Sequence, residues 1–191
     1  MKVSLDLDRF VGGQFFSPEM VVLVTTISTS GVFNVAPKTQ AMPVGRGNYW
    51  AFACCSAHHT YQNVLQQGEF VVNIPGPELI EHVSRASADV PPGTDEIAAS
   101  GLTASPSKQV DVPSILECRV HLECRKHQVI DGLSGDSLII GKIVAACGDC
   151  DFLSTDEQVL AKKPLLAYVH PDHYAVVSEI RRFVFPRNYK P

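Results

Sequence analysis

Residues 34–63 read NVAPKTQAMPVGRGNYWAFACCSAHHTYQN, and three changes of character within this stretch decide the fold. Residues 48–54 (NYWAFAC) are aromatic and small-apolar, as a buried strand is. Residues 60–66 then suit a short helix that Gly68 is placed to end. Between strand and helix lie Ser56, His58, His59 and Thr60. A helix N-terminus presents unpaired N–H groups and a partial positive charge, so hydroxyls and imidazoles beside it make a phosphate site. On these residues alone the plainer reading, Thr60 or His59 capping the helix, takes precedence. At the other end, Asn34–Val35–Ala36–Pro37 is an unusual strand ending. Pro37 lacks an N–H and cannot sit in a central ladder. The chain is therefore expected to leave the sheet there, uncovering backbone groups that can bond a flat polar heterocycle. A plain edge turn is the simpler alternative.

Working outward, residues 20–27 (MVVLVTTI) are a β-branched apolar run, the pattern of a strand buried on both faces. The Ser28–Gly31 turn cluster joins it to 32–36 as a hairpin. EFVVNI at 69–74 is a strand stopped by Pro75. Residues 78–87 follow Pro77 and place Leu79, Ile80 and Val83 on one stripe, predicting a short helix. A Pro/Gly loop over 88–94 leads to one or two helical turns at 95–100. From Leu116 to Arg125, apolar and charged residues alternate, predicting a strand with one wet face. Residues 136–147, 165–170 and 174–177 complete the strands. The expectation is a mainly β chain with short helices: a closed antiparallel barrel forming a single domain over 1–191.

Of the 191 residues, 45% are hydrophobic and 19% charged, which describes a folded core rather than a disordered chain. A net charge of −4 without a basic face excludes nucleic acid as a partner. Lys162–Lys163 and Arg181–Arg182 read as solvated surface. No apolar segment is long enough to span a bilayer, so no membrane is expected. The opening MKVSLDLDRF has two Asp and no apolar run, unlike a secretory signal. Six cysteines in that setting predict free thiols and a cytoplasmic location.

The chain resembles the flavin reductase-like FMN-binding split-barrel family. The matching pieces occur in order: PEMVVLVTTI at 18–27 followed by Gly31 and NVAP, WAFACCSAHHTYQN at 50–63, GEFVVNIP at 68–75, SGL at 100–102, PSILECRVHLEC at 113–124 and GDSLIIGKI at 135–143. The resemblance implies a split barrel with FMN at the interface of a homodimer. It places Asn34, Ala36, Pro37 and Thr39 beside the isoalloxazine ring, and Cys55 and Ser56 along the ring and ribityl chain. It places His59, Thr60 and Asn63 near the phosphate, with His58 a weaker choice than its neighbour. It also implies an oxidoreductase that passes electrons from NAD(P)H, or from a redox protein partner, through FMN to an acceptor. The flavin carries that chemistry, and no acid, base or nucleophile stands out in the chain as catalytic.

Two features depart from the family. Gly135–Asp136–Ser137 lacks the following His expected near a nicotinamide, and Ile97 replaces the aromatic after Asp95–Glu96. The tail YVHPDHYA at 168–175 is closer to flavoredoxin-like members, which makes an FMN electron carrier the alternative. In that tail His170, Asp172, His173 and Tyr174 form either a lid over the flavin, with His170 among its contacts, or a turn centred on Pro171. Cys147–Gly148–Asp149–Cys150 is a C-x-x-C that is redox-active, half a zinc site, or a plain turn. Zinc needs two further ligands that the pattern does not supply, so no metal is expected. Cys118 and Cys124 read as core thiols of the 116–125 strand, and alternation along 48–54 lets at most one of Cys54 and Cys55 face the flavin.

Overall fold

A computed structural model describes residues 1–153 and 156–179. The Arg181–Arg182 pair lies outside them. The elements in chain order are strands β1 (Pro18–Met20), β2 (Val22–Ile27), β3 (Phe33–Lys38), β4 (Ala41–Val44) and β5 (Tyr49–Cys55), then helix α1 (His59–Gln67) and strand β6 (Glu69–Ile74). A 3₁₀ turn at Pro77–Leu79 leads into α2 (Ile80–Arg85), followed by α3 (Glu96–Ala99), β7 (Ala104–Ser105) and β8 (Ser114–Ile115). Two long strands, β9 (Val120–Leu133) and β10 (Asp136–Gly148), precede α4 (Glu157–Ala161), β11 (Leu165–Val169) and β12 (His173–Val177).

Seven strands form one antiparallel sheet in the order β3-β2-β6-β9-β10-β5-β4. Its two edges, β3 and β4, are separated in the chain by only Thr39 and Gln40. A link that short spans roughly 10 Å at most, so the sheet must curl until its ends meet. This is the split barrel expected from the sequence. The Gln40 carbonyl accepts the Ala53 N–H at 2.9 Å, which carries the β4–β5 ladder into this link. A smaller sheet, β1-β11-β12, lies beside it.

Strand β2 is buried on both faces, as its composition predicts. Val22 and Val24 face the barrel interior with Phe52, Phe70, Val72, Cys124 and Ile139. Leu23 packs outward with Leu79 of the 3₁₀ turn and Val83 of α2, and with Ile97 and Ile115. Inside, Phe52 and Phe70 meet edge to face at 5.3 Å, an arrangement that adds about 0.5–1.5 kcal/mol beyond burial. Gly141 lies directly under the Phe70 ring, where a Cβ would come within 2.3 Å of Cζ. Gly68 ends α1 in the left-handed conformation (φ 74°), donating to the Val64 carbonyl at 3.0 Å.

Two expectations are corrected. The chain does not leave the sheet at Pro37, which is in register with Leu23 inside β3. Because β3 is an edge strand, the missing N–H costs no ladder bond to a further strand. The 116–125 strand also starts later and has no uniformly wet face. Residues 116–119 form a turn, and β9 begins at Val120. Cys118 and Cys124 are both buried, but in different clusters, Cys118 outside the barrel and Cys124 within it. Two charged residues of the supposed wet face are buried as well. Glu123 accepts the Lys108 and Gln109 N–H groups at 2.9 and 2.6 Å. Arg119 forms a fork with Glu78 and donates to the Pro164 carbonyl at 2.7 Å. A charge with its partners supplied this way can leave water, which alternation alone cannot reveal.

Candidate functional site

Two cavities adjoin along the β3 edge. The larger, about 710 Å³, is bounded by residues 37–40, by Ala53–Cys55 at the end of β5, by Ile80 and Val83 of α2, and by Tyr168, His170 and Tyr174. The smaller, about 280 Å³, lies against the N-terminus of α1 and is bounded by Asn34, Ala36, residues 57–60, residues 86–90 and Glu96. Pro37, Lys38, His58 and Ser87 line both and mark where they join.

The strand-to-helix junction forms the smaller cavity, but its polar groups are organised differently from the cap expected. His58 is the N-cap of α1 and makes no side-chain cap bond. The Thr60 hydroxyl instead donates to Asn34 Oδ1 at 3.0 Å. Thr26 donates to the same oxygen at 2.9 Å, and Asn63 Nδ2 donates to Thr26 Oγ1 at 3.0 Å. Thr26, Asn34, Thr60 and Asn63 are all buried. Asn34 Nδ2 donates to the Glu96 carboxylate, which also accepts the Val35 N–H at 3.4 Å. The other Glu96 oxygen lies 3.0 Å from His59 Nδ1. Helix α1 is thus locked to β2, β3 and α3 through side chains, and its own N-terminus stays without a side-chain cap. That leaves partial positive charge facing the cavity.

Most of the expected site residues gather here. Asn34, Ala36, Pro37, His59 and Thr60 line the smaller cavity. Pro37, Thr39, Cys55 and His170 line the larger one. Ser56 and Asn63 line neither. The Ser56 carbonyl accepts from Gln62 Nε2 at 2.8 Å, and Asn63 is turned into the buried network. His58 touches both cavities, whereas His59 lines only the smaller one, half exposed and engaged with Glu96. Cys54 and Cys55 both line the larger cavity. Cys54 also packs in the barrel core, and burial pushes its thiol up despite the Lys38 ammonium beside it.

Lys38 and Glu96 were missed in the sequence. Lys38 is buried and stands where the cavities meet. A lysine after Pro37 and a glutamate in a short helix carry no pattern that marks them; only the tertiary fold brings them to the site. The tail cluster does reach it: His170, Asp172, His173 and Tyr174 all line the larger cavity. His170 Nε2 is buried without a hydrogen-bond partner, as is Glu19 Oε2, and the two side chains approach to 3.8 Å. Of the two, only His170 lines a cavity; the joined cavities themselves, one with apolar walls and one at an uncapped helix end, set what the site can hold. The site therefore suits an elongated molecule, flat at one end and anionic at the other, as FMN is. Among the described residues no group of three or more His, Cys, Asp or Glu is arranged to hold a metal ion. No helix among them is long and apolar enough to cross a membrane.

Comparison with known proteins gives the same direction. Residues 15–177 match the model of the flavin reductase like domain. An uncharacterised protein of Methanothermobacter thermautotrophicus is 31% identical over 175 residues, covering 87% of this chain and 82% of that protein. Nitrilotriacetate monooxygenase component B from Bacillus cereus superposes with a TM-score of 0.83 at 21% identity, over 96% of this chain and 99% of that one. Flavoredoxin of Desulfovibrio vulgaris superposes with a TM-score of 0.82 at 22% identity, over 99% of this chain and 100% of that one. With the barrel, the paired cavities and the domain match in agreement, the chain belongs to the flavin reductase like family of flavin-binding oxidoreductases, and FMN is the cofactor that goes with this membership.

Proposed function

We propose that this protein takes reducing equivalents from a donor such as NAD(P)H and passes them through FMN to an acceptor. The isoalloxazine ring lies in the larger cavity and the phosphate in the smaller. The observation that carries this reading is the joined pair of cavities, one walled by Ile80, Val83 and Tyr168, the other by an uncapped helix end. FMN supplies the electron chemistry, and the chain supplies position and electrostatics.

Thr39, Cys55 and His170 flank the ring in this proposal, Pro37 keeps side-chain bulk away from it, and Ala36 does the same in the smaller cavity. Lys38 sets a positive charge between ring and phosphate. The phosphate meets the backbone N–H groups at the start of α1, with His58 and His59 beside them. Thr60, Asn34 and Asn63 act mainly as scaffold, because the one proton of the Thr60 hydroxyl is already donated to Asn34. We further propose one domain across the chain, a cytoplasmic location and a homodimer. In support of the dimer, β12 is the edge of its sheet and exposes Tyr174 and Val176.

A flavoredoxin-like carrier without pyridine-nucleotide activity is the second reading, favoured by the segment after Gly135. Asp136 lines the larger cavity. Ser137, where a His would be expected, is buried and donates to Asp131 at 2.7 Å. The deciding experiment is the visible spectrum of the purified protein, before and after FMN and then with NADH or NADPH under anaerobic conditions. Flavin bands that bleach support the oxidoreductase. Bands that persist with both donors transfer the assignment to the carrier. A protein that stays colourless with added FMN overturns both.

A further inference from the structure

The C-x-x-C of Cys147 and Cys150 lies outside both cavities, and the fold gives it a partner that the sequence did not reveal. Cys147 of β10 is the direct cross-strand partner of His121 in β9, so both side chains emerge on one face of the ribbon. Cys147 Sγ lies 3.6 Å from His121 Nδ1. On the far side of the ring, Nε2 lies 2.8 Å from the Ile115 carbonyl oxygen. A carbonyl only accepts, so Nε2 carries the hydrogen, and in the neutral ring Nδ1 is bare and faces the thiol as an acceptor. A proton passing from Cys147 Sγ to Nδ1 leaves a thiolate against an imidazolium whose other N–H still bonds Ile115.

The surroundings leave this pair intact. Glu123, two residues along β9, is committed to the Lys108 and Gln109 N–H groups. Arg119 is held by Glu78 and Pro164. Asp149 and Asp151, on the turn that carries Cys150, are both exposed, and Cys150 Sγ lies 3.7 Å from Asp151 Oδ1. Cys150 is also exposed, on the turn after β10 in which the Phe152 and Leu153 N–H groups donate to the Asp149 carbonyl. Cys54, Cys118 and Cys124 are buried.

We propose that Cys147 is a nucleophilic thiol activated by His121, and that with Cys150 it forms a dithiol–disulfide couple that reacts with small-molecule disulfides. The Cys147 thiolate attacks one sulfur of a disulfide RSSR. Its S–S bond breaks, and the departing RS⁻ takes the imidazolium proton and leaves as RSH. Cys150 then attacks the Cys147 sulfur of the mixed disulfide. The second RS⁻ leaves with the Cys150 proton, and a Cys147–Cys150 bond forms. Two protein thiols are oxidised and one RSSR is reduced to two RSH.

The test uses the full chain, reduced, with limiting iodoacetamide and peptide mass spectrometry across neutral and mildly acidic pH. Cys147 is expected to be the first thiol modified. At roughly pH 6.5 it should react about tenfold faster than in His121→Gln, the gap closing in alkali, where any thiol ionises. With oxidised glutathione, the native chain should end as the internal disulfide, and Cys150→Ser should stop at a glutathione adduct on Cys147. Equal rates at Cys147 and Cys150 in the native chain would overturn the proposal, as would a Cys150→Ser protein that takes up no glutathione. Both readouts remain decisive should His121→Gln fail to fold.

Discussion

Lys38→Met is the sharpest probe of how FMN lies in the two cavities. Lys38 is 8% exposed and lines both, and its ammonium lies beside the Cys54 thiol of the larger cavity. Methionine preserves an unbranched stem to pack where the lysine carbons lay, and removes the charge. One charge-assisted hydrogen bond to phosphate contributes about 1.5–3 kcal/mol, which is about 10- to 150-fold in Kd. FMN should therefore bind that much more weakly to the variant. Riboflavin, which lacks the phosphate, should change by no more than about threefold, the scale of a few tenths of a kcal/mol. Titration of both ligands by flavin fluorescence, on native and variant protein at one salt concentration, measures the two ratios side by side. Equal losses for the two ligands would place Lys38 against the ring instead. No loss for either would refute the orientation proposed here.

Other outcomes follow from particular contacts. Glu96→Ala removes the acceptor of Asn34 Nδ2 and the partner of His59, and leaves a buried amide unsatisfied. It should lower unfolding free energy by about 1–3 kcal/mol in urea titration, and a change within error would mean that water replaces the carboxylate. Gly141→Ala drives a methyl into the Phe70 ring, itself held against Phe52, and should cost about 1–3 kcal/mol by thermal denaturation. Burial pushes the Cys124 thiol up to about 12 from its ordinary 9.0, so the folded state holds a proton that the unfolded chain releases. Stability from this group is complete below about pH 9 and falls as pH rises toward 12, by about 1.4 kcal/mol per unit at most. Alkaline unfolding that begins there, together with thiol-reagent accessibility of Cys124 only after denaturation, would bear this out.

Local pattern settled much of the architecture. The apolar run of β2, the hairpin at Ser28–Gly31, the short α1 ended by Gly68 and the strand β10 all lie close to where periodicity and turn chemistry put them. Order and spacing of the motifs were enough to point to the family and so to FMN. These are properties of neighbours in sequence, which the chain states directly. What the tertiary structure decided depends on residues brought together from a distance. Pro37 stays in the sheet because its strand turns out to be an edge. Glu123 and Arg119 leave water because Lys108, Gln109, Glu78 and Pro164 arrive to meet them. Thr60 turns from cap to scaffold because Asn34 lies across from it, and Lys38 enters the site because β3 carries it to the junction of two cavities. His121 meets Cys147 only through strand register. A polar side chain takes its role from the partner that satisfies it, and in a closed barrel that partner comes from elsewhere in the chain.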